Sequence, residues 1–356
     1  MTDAWPIDLI AQHATIDLSI ILVSYDSLSD LQRCLPTILG QATTFAYEII
    51  VVDNHGADGV LAWIYSLYPD SRVLINTTNT GYAGGNNLGL AHARGQWSFL
   101  LNPDVELQPG SLQRLLETAH QFPDALITPK LLNPDGTINA CGNQMHYTGI
   151  TTCRGLNQSG DSLSTLHTVS LLSGAAIVGP TALIRQLGGF DETYFMYFED
   201  TDLSLRARRQ GVTLLCEGRA RIVHHYTLNL NAAKFYYLER NRLLTFLKLF
   251  SRKTLMALFP AMLLTELITW VYGLRGWPFL KSRFQTYRYL WKNRAVIRQE
   301  RTKLQEQPAA ISDKELLAGS ELSLPIGSVL PKPLGALVNR LTIGNIYRLL
   351  IPKWLR

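Results

Sequence analysis

The chain has 356 residues, 47% of them hydrophobic and 17% charged. That length can bury a core of roughly 200–250 residues and leave a further segment, while the composition excludes a disordered chain, a collagen-like repeat and a fixed-period array. The net charge of +5 is unevenly spread: residues 240–303 hold 14 Lys/Arg against two acids, Glu266 and Glu300, so the remainder is acidic.

Residues 1–16 carry Asp3 and Asp8 and have neither a basic n-region nor an apolar h-region. They are expected to form a short extension without a signal peptide, leaving the catalytic part in the cytoplasm. Leu18 to Ser24 is a continuous apolar run, as a strand buried on both faces requires. Leu31, Leu35, Ile38 and Leu39 follow at helical spacing, with Pro36 as a possible break and Gly40 as a stop. Strands are predicted at Glu48 to Asp53, Arg72 to Asn76 and Trp97 to Asn102, with helices at Gly59 to Tyr68 and Ala83 to Ala93. This alternation predicts right-handed βαβ crossovers and a doubly wound sheet. Ligands of such sheets sit at the carboxyl ends of the strands, where this chain puts Ser24, Tyr25 and Asp26, then Asp53 and Asn54, then Asn102, Pro103 and Asp104.

Beyond Ile127 the reading is less regular until Val169 to Val178, which contains the small-residue loop Leu172, Ser173, Gly174, Ala175. Asp200 to Gln210 is predicted as a short helix, acidic at its start, arginine-rich at its end and stopped by Gly211. Leu255 to Tyr272 is mostly apolar but interrupted by Pro260 and Glu266, and is flanked by cations and by Trp270, Tyr272, Trp277 and Tyr287. That pattern suits a membrane-interface or re-entrant segment, or alternatively a buried helix of a C-terminal subdomain. Residues 304–333 read as a linker, and 334–356 as a second amphipathic surface helix with four cations and no acid. The four cysteines, Cys34, Cys141, Cys153 and Cys216, form no CxxC pair and are expected to be buried thiols.

Alternating βα order serves many functions, so the site residues must decide. No GxGxxG follows the first strand, and neither a GxxxxGK[ST] P-loop nor a GxSxG elbow occurs. What remains is a set of carboxylates and one histidine pair: Asp53, Asp104, Glu199, Asp200, Asp202, His224 and His225.

The stretches SIILVSYDS, EIIVVDN, NTGYAGGNNLGLAHARG, FLLNPDVEL, LSGAAIVGPTALIRQLGGFDETYFMYFEDTDLSLRARRQG and YYLERNRLLTF occur in the order and spacing of family 2 glycosyltransferases. The chain resembles this family, and more closely its rhamnosyltransferase-like members of bacterial polysaccharide biosynthesis. The resemblance implies an α/β GT-A nucleotide-diphospho-sugar transferase fold with a Rossmann-like mixed sheet. It assigns 17–249 to the catalytic domain and 250–303 to membrane-associating helices.

The resemblance also implies residue roles. Asp53 would bind the base or ribose of the donor, with Ser24, Tyr25, Asn102 and Gly174 lining the donor site. Asp104 matches the last aspartate of the family's DxD motif, which here reads Asn102-Pro103-Asp104, so an amide replaces the first carboxylate. With His224 it would hold Mg²⁺ or Mn²⁺, although the sequence leaves open whether His224 or His225 is the ligand. Asp200 matches the catalytic base of inverting members, with Glu199 and Asp202 as competitors. Gly85 and Asn86 belong to a glycine-rich stretch that either binds the donor or serves as a structural turn. Arg240 and Arg242 either neutralise the diphosphate or face lipid, and Tyr194, Phe195, Tyr197 and Phe198 either stack on sugars or fill the core.

The activity so implied is inverting transfer of a sugar, rhamnose being a candidate, from a nucleotide-diphosphate donor to a lipid-linked glycan at the cytoplasmic face of the inner membrane. Attachment there would be peripheral or monotopic, to an anionic surface. A processive polysaccharide synthase would need several spanning helices and a Q/RxxRW motif, and an inactive scaffold would not need Asp104 and Asp200. No nucleic-acid partner is expected, because the basic residues are interleaved with an apolar run and no reader motif is present.

Overall fold

The computed structural model describes residues 15–68, 71–226, 229–324 and 343–356. The N-terminal extension therefore lies almost wholly outside the described residues, as do 325–333 of the expected linker and 334–342 of the expected last helix. The described chain forms two compact units. One holds residues up to Gly142, Arg154–Leu203 and Val212–Thr227; the other holds Asn143–Cys153, Ser204–Gly211 and Leu228 onward.

The first unit is built on a mixed sheet. Strands β1 (Leu18–Ser24), β2 (Tyr47–Asp53), β3 (Arg72–Ile75) and β4 (Trp97–Leu101) are parallel, connected by helices α1 (Leu28–Leu39), α2 (Val60–Leu67) and α3 (Gly81–His92). All seven residues of β1 are buried, which explains its unbroken apolar run. Pro36 does not break α1, which continues through it to Leu39. After β5 (Val105–Leu107) and α4 (Ser111–Gln121) come β6 (Ala125–Leu132), the short β7 (Ile138–Ala140), and in the second unit the hairpin β8 (Asn143–Met145) and β9 (Thr151–Cys153). The sheet is completed by β10 (Leu166–Thr168), β11 (Ala176–Pro180) and the long β12 (Thr213–His224). Its order is β10-β12-β6-β11-β4-β1-β2-β3, with β11 running antiparallel to both neighbours. The sheet is thus parallel on its first half and mixed on its second, not uniformly doubly wound. Between β11 and β12 lie α5 (Thr181–Gln186) and α6 (Glu199–Arg209), the latter ended by Gly211 at φ 85°.

Glycines let α3 lie close on β1. A Cβ at Gly85 would come within 2.5 Å of Val23 Cγ1, and one at Gly89 within 2.3 Å of Ile21 Cγ2. The small size of Gly85 is thus used on helix-to-strand packing.

The second unit is helical: α7 (Ala232–Leu249), α8 (Arg252–Gly273), α9 (Trp277–Lys292), α10 (Arg294–Glu306), α11 (Asp313–Leu317) and a last helix, Ile343–Leu350. Helix α7, which the sequence reading groups with the catalytic region, belongs to this unit. So does α11, which opens on a capping box of Ser312 and Glu315 inside the expected linker. The interior holds a charge cluster: Arg242 and Arg283 are buried, and each pairs with both Glu239 and Glu266, while Tyr287 also bonds Glu266. Arg242 donates in addition to the Thr148 carbonyl at 3.0 Å. This corrects the reading of Arg242 as a diphosphate or lipid contact: two carboxylates already neutralise it inside the unit. Of the cysteines, Cys34, Cys141 and Cys216 are buried free thiols, whereas Cys153 is exposed, contrary to expectation.

Candidate active site

The carboxyl ends of β1 and β2 are tied together first. Ser24 and Asp53 are register partners, and the Asn54 N–H donates to the Ser24 carbonyl at 2.8 Å. The Asp53 carboxylate accepts from the Gly56 N–H at 2.9 Å, which fixes the turn after β2. Ser24 is buried with its hydroxyl 3.1 Å from that of Ser27, and Tyr25 beside it is half exposed. Asn54 organises the next loop: its amide donates to Asn79 and to the Gly81 carbonyl, and its oxygen accepts from Asn76 and Thr80. The sequence reading marks Asn54 only as polar, without this role.

The second cluster surrounds the start of α6. Asp200 Oδ2 accepts from the Gly174 N–H at 2.8 Å, and Oδ1 accepts from the Thr201 N–H at 2.6 Å. A Cβ on Gly174 would lie 3.0 Å from Asp200 Cβ, so glycine is what permits this approach. The Tyr82 hydroxyl donates to the Gly174 carbonyl at 2.5 Å. The segment leading into the carboxylates is strained: Phe195, Tyr197 and Phe198 all have positive φ, between 64° and 71°. The Phe195 carbonyl accepts from the Ala83 N–H, and a Cβ at Gly81 would fall 2.2 Å from that carbonyl oxygen. Tyr194 and Phe198 are core residues, and Tyr194 donates to Asp202 at 3.2 Å. Asp202 is fully buried on that bond, while Asp200 is partly accessible.

Burial pushes the Glu199 carboxyl well above its usual range, and the neighbouring Asp200 adds to the effect. Asp200 is also raised, chiefly by burial, with the Gly174 and Thr201 N–H groups working against it. One Glu199 oxygen is buried with no hydrogen-bond partner among the described residues. Burial also drives the Tyr82 hydroxyl upward, and Glu199, Asp200 and Asp104 all add to it, so these three acids share one neighbourhood.

The third cluster joins β4 to β12. The Asn102 N–H donates to the Ala175 carbonyl at 2.9 Å, placing the Asn102-Pro103-Asp104 turn beside the Gly174 loop. Asp104 Oδ1 and His224 Nε2 face each other at 3.4 Å. Both atoms are buried, and neither is hydrogen-bonded to a described residue. Burial pulls the Asp104 carboxyl upward, but His224 and Asn102 outweigh it and hold the group below its usual value. His224 Nδ1 lies 3.4 Å from Asn139 Oδ1, and the ring stacks on Tyr226 at 5.4 Å. His225 points elsewhere, to Glu106 at 2.6 Å. Two converging orphaned atoms, one hard oxygen and one imidazole nitrogen, fit two ligands of a divalent ion. No group of three or more such residues occurs among the described residues, so further ligands would come from substrate and water.

Two donor-site expectations fall differently. Asn86 is buried, its amide donating to the Tyr82 carbonyl at 2.9 Å while its oxygen has no partner among the described residues. Arg240 belongs to the second unit, where its guanidinium is buried over the rings of Tyr236, Tyr237 and Tyr289.

A mixed sheet with a parallel half, an Asn-Pro-Asp turn after β4 and an acidic helix start facing a glycine loop make up a GT-A-like fold. Residues 19–180 match the model of glycosyl transferase family 2, and the domain belongs to that family. An N-acetylglucosaminyl-diphospho-decaprenol L-rhamnosyltransferase of Mycobacterium tuberculosis is 29% identical over 233 residues, covering 58% of this chain and 76% of that one. A low-salt glycan biosynthesis hexosyltransferase of Haloferax volcanii is 28% identical over 208 residues, covering 56% and 64%. Among solved structures, S. aureus TarS 1-349 in complex with UDP-GlcNAc shares the fold with a TM-score of 0.53 at 16% identity, covering 95% of this chain and 93% of that one. GalNAc-T7 with UDP, GalNAc and Mn²⁺ gives a TM-score of 0.57 at 14% identity; the match covers 67% of this chain but only 49% of that one, about half its length.

Proposed function

We propose that this glycosyltransferase moves a sugar, with inversion, from a nucleotide-diphosphate donor to a hydroxyl of a lipid-linked glycan at the cytoplasmic face of the inner membrane. The observation that carries the reading is Asp200. It is a carboxylate at a helix start, aimed by the Gly174 and Thr201 N–H groups and raised by burial toward useful basicity. The acceptor oxygen attacks C1 of the donor sugar, the bond from C1 to the phosphate oxygen breaks, and the acceptor proton passes to Asp200. Asp53 and the Ser24 region orient the nucleoside, and Asp104 and His224 would hold Mg²⁺ or Mn²⁺. When bound, such an ion supplies positive charge to the leaving diphosphate. The mycobacterial relative transfers rhamnose to a decaprenol-linked sugar, which supports that donor and acceptor class here.

Helix α8 supports the membrane part of the reading. It is long and apolar enough to cross a membrane. Met256, Phe259, Leu263, Leu267 and Val271 form one exposed stripe, with Met256 71% and Val271 64% accessible, while Thr254, Ala261, Thr265 and Thr269 face inward. Burying each of those apolar side chains in the acyl boundary contributes on the order of 1 kcal/mol or more. Glu266, within α8, is held by Arg242 and Arg283 from α7 and α9, an arrangement suited to a helix lying on the bilayer.

The test is a thermal-shift screen of nucleotide-diphospho-sugars with and without Mn²⁺, followed by transfer assays and the anomeric configuration of the product. A donor should stabilise the protein in proportion to ln(1 + [L]/Kd). No stabilisation by any nucleotide-sugar, or retention at C1, contradicts the proposal.

A further inference from the structure

Within the second unit, α7 and α9 border a cavity of about 630 Å³. Lys281, Arg288 and Lys292 line it, with Gln285 between them, at spacings of four, three and four residues that put all of them on one face of α9. Ala232 and Ala233 open the α7 wall, and Tyr236, Tyr237 and Tyr289 supply aromatic surface. No carboxylate lines the cavity. The contrast with the unit's interior is informative. There, Arg242 and Arg283 are matched by Glu239 and Glu266. Lys281, Arg288 and Lys292 make no ion pair with any described residue. Behind the tyrosines sits the buried guanidinium of Arg240, 4.6 to 5.4 Å from the three ring centres.

Three unmatched cations along one groove repel one another, and a multiply charged anion relieves that repulsion. The volume exceeds that of an isolated phosphate and suits a diphosphate with an adjoining group, for which tyrosine faces are good packing surfaces. Pro278, at one end of the groove, directly follows Trp277, 69% exposed, and the exposed apolar stripe of α8 ends just before it at Leu274. A ligand with an anionic head and a hydrocarbon tail matches that succession. We propose that the α7–α9 groove binds the diphosphate of the lipid-linked acceptor, Lys281, Arg288 and Lys292 pairing with phosphate oxygens and the tyrosines covering the adjoining sugar or isoprenoid. This rests on the reading of the protein as a transferase with such an acceptor.

The experiment titrates the full chain with farnesyl diphosphate, inorganic pyrophosphate, farnesol and phosphatidylglycerol vesicles, and separately with UDP and dTDP. Farnesyl diphosphate should bind more tightly than pyrophosphate or farnesol. The double substitution Arg288→Gln with Lys292→Gln should weaken it by at least about tenfold, since each charge-assisted bond is worth that much. Arg288→Lys with Lys292→Arg should retain it, and none of these changes should alter nucleotide binding. Equal binding by the glutamine variant, equal binding of pyrophosphate, or binding to vesicles with none to farnesyl diphosphate overturns the proposal. Nucleotide binding with no farnesyl diphosphate response removes the groove and leaves the transferase; farnesyl diphosphate binding without any nucleotide binding removes the transferase and leaves the groove as a prenyl-diphosphate site.

Discussion

Substituting alanine for Gly174 adds one methyl group at the most sensitive contact of the proposed base. The new carbon would lie 3.0 Å from Asp200 Cβ, 3.1 Å from Oδ2 and 3.2 Å from Cγ. Asp200 Cβ is attached to the backbone of α6, so it cannot swing aside as the tip of a long side chain would. Either the Gly174 loop retreats by a few tenths of an ångström, lengthening its 2.8 Å bond to the carboxylate, or the Asp200 side chain rotates away. A hydrogen bond to a charged group contributes about 1.5–3 kcal/mol, and a displacement of about 1 Å in a reacting group costs roughly a hundredfold in rate. Gly174→Ala should therefore lower kcat about 10- to 100-fold, with the donor KM little changed and the melting temperature lowered by a few degrees. Losing that N–H also removes one of the interactions opposing the rise of Asp200, so the acid limb of the rate profile should move to higher pH. Steady-state transfer measured across pH tests both effects. A kcat within about twofold of the parent, with an unmoved acid limb, would refute the positioning role of this loop.

Glu199→Gln should raise stability at neutral pH by on the order of 1 kcal/mol. Burial raises the Glu199 carboxyl in the folded state, so its contribution to stability falls as pH rises from the unfolded value through the folded one. The gain should vanish in acid, and urea midpoints at two pH values check it. Arg283→Met leaves Glu239 and Glu266 each short of one partner and should cost about 3–5 kcal/mol, read as a lowered thermal midpoint of the helical unit; an unchanged midpoint contradicts the cluster's role. His224→Ala should weaken Mn²⁺-dependent nucleotide binding at least about tenfold, whereas His225→Ala should not, as calorimetry with and without chelator would report.

Much of the first unit is legible because β1, β2 and β4 are buried and α1 shows a clear apolar stripe. The region from β7 to β10 is not, because those strands are three residues long and partly polar, and are specified by pairing with distant segments. Helix α8 defeats a periodicity argument: Met256, Phe259, Leu263, Leu267 and Val271 lie outside, while three threonines share the inner face with Leu258 and Ala261, so apolar content does not mark burial. The buried pairing of Arg242 and Arg283 is not legible in the sequence, because one partner, Glu266, lies 24 and 17 residues away. At the site, Asp53, Asp104 and Asp200 stand at strand and helix ends where the pattern points. No sequence pattern shows that His224 turns to Asp104 while His225 turns to Glu106. Asn54, Tyr82 and Asn139 carry no motif of their own; their roles arise from the loops that fold against them.

Proton removal from the acceptor falls to Asp200, and the single-turnover transfer rate of Asp200→Asn tests that role most directly. The amide keeps the shape of the side chain, so donor binding should persist while transfer falls by about 10²–10⁴. Transfer at more than about a third of the parent rate, with the donor equally bound, would remove Asp200 as the base.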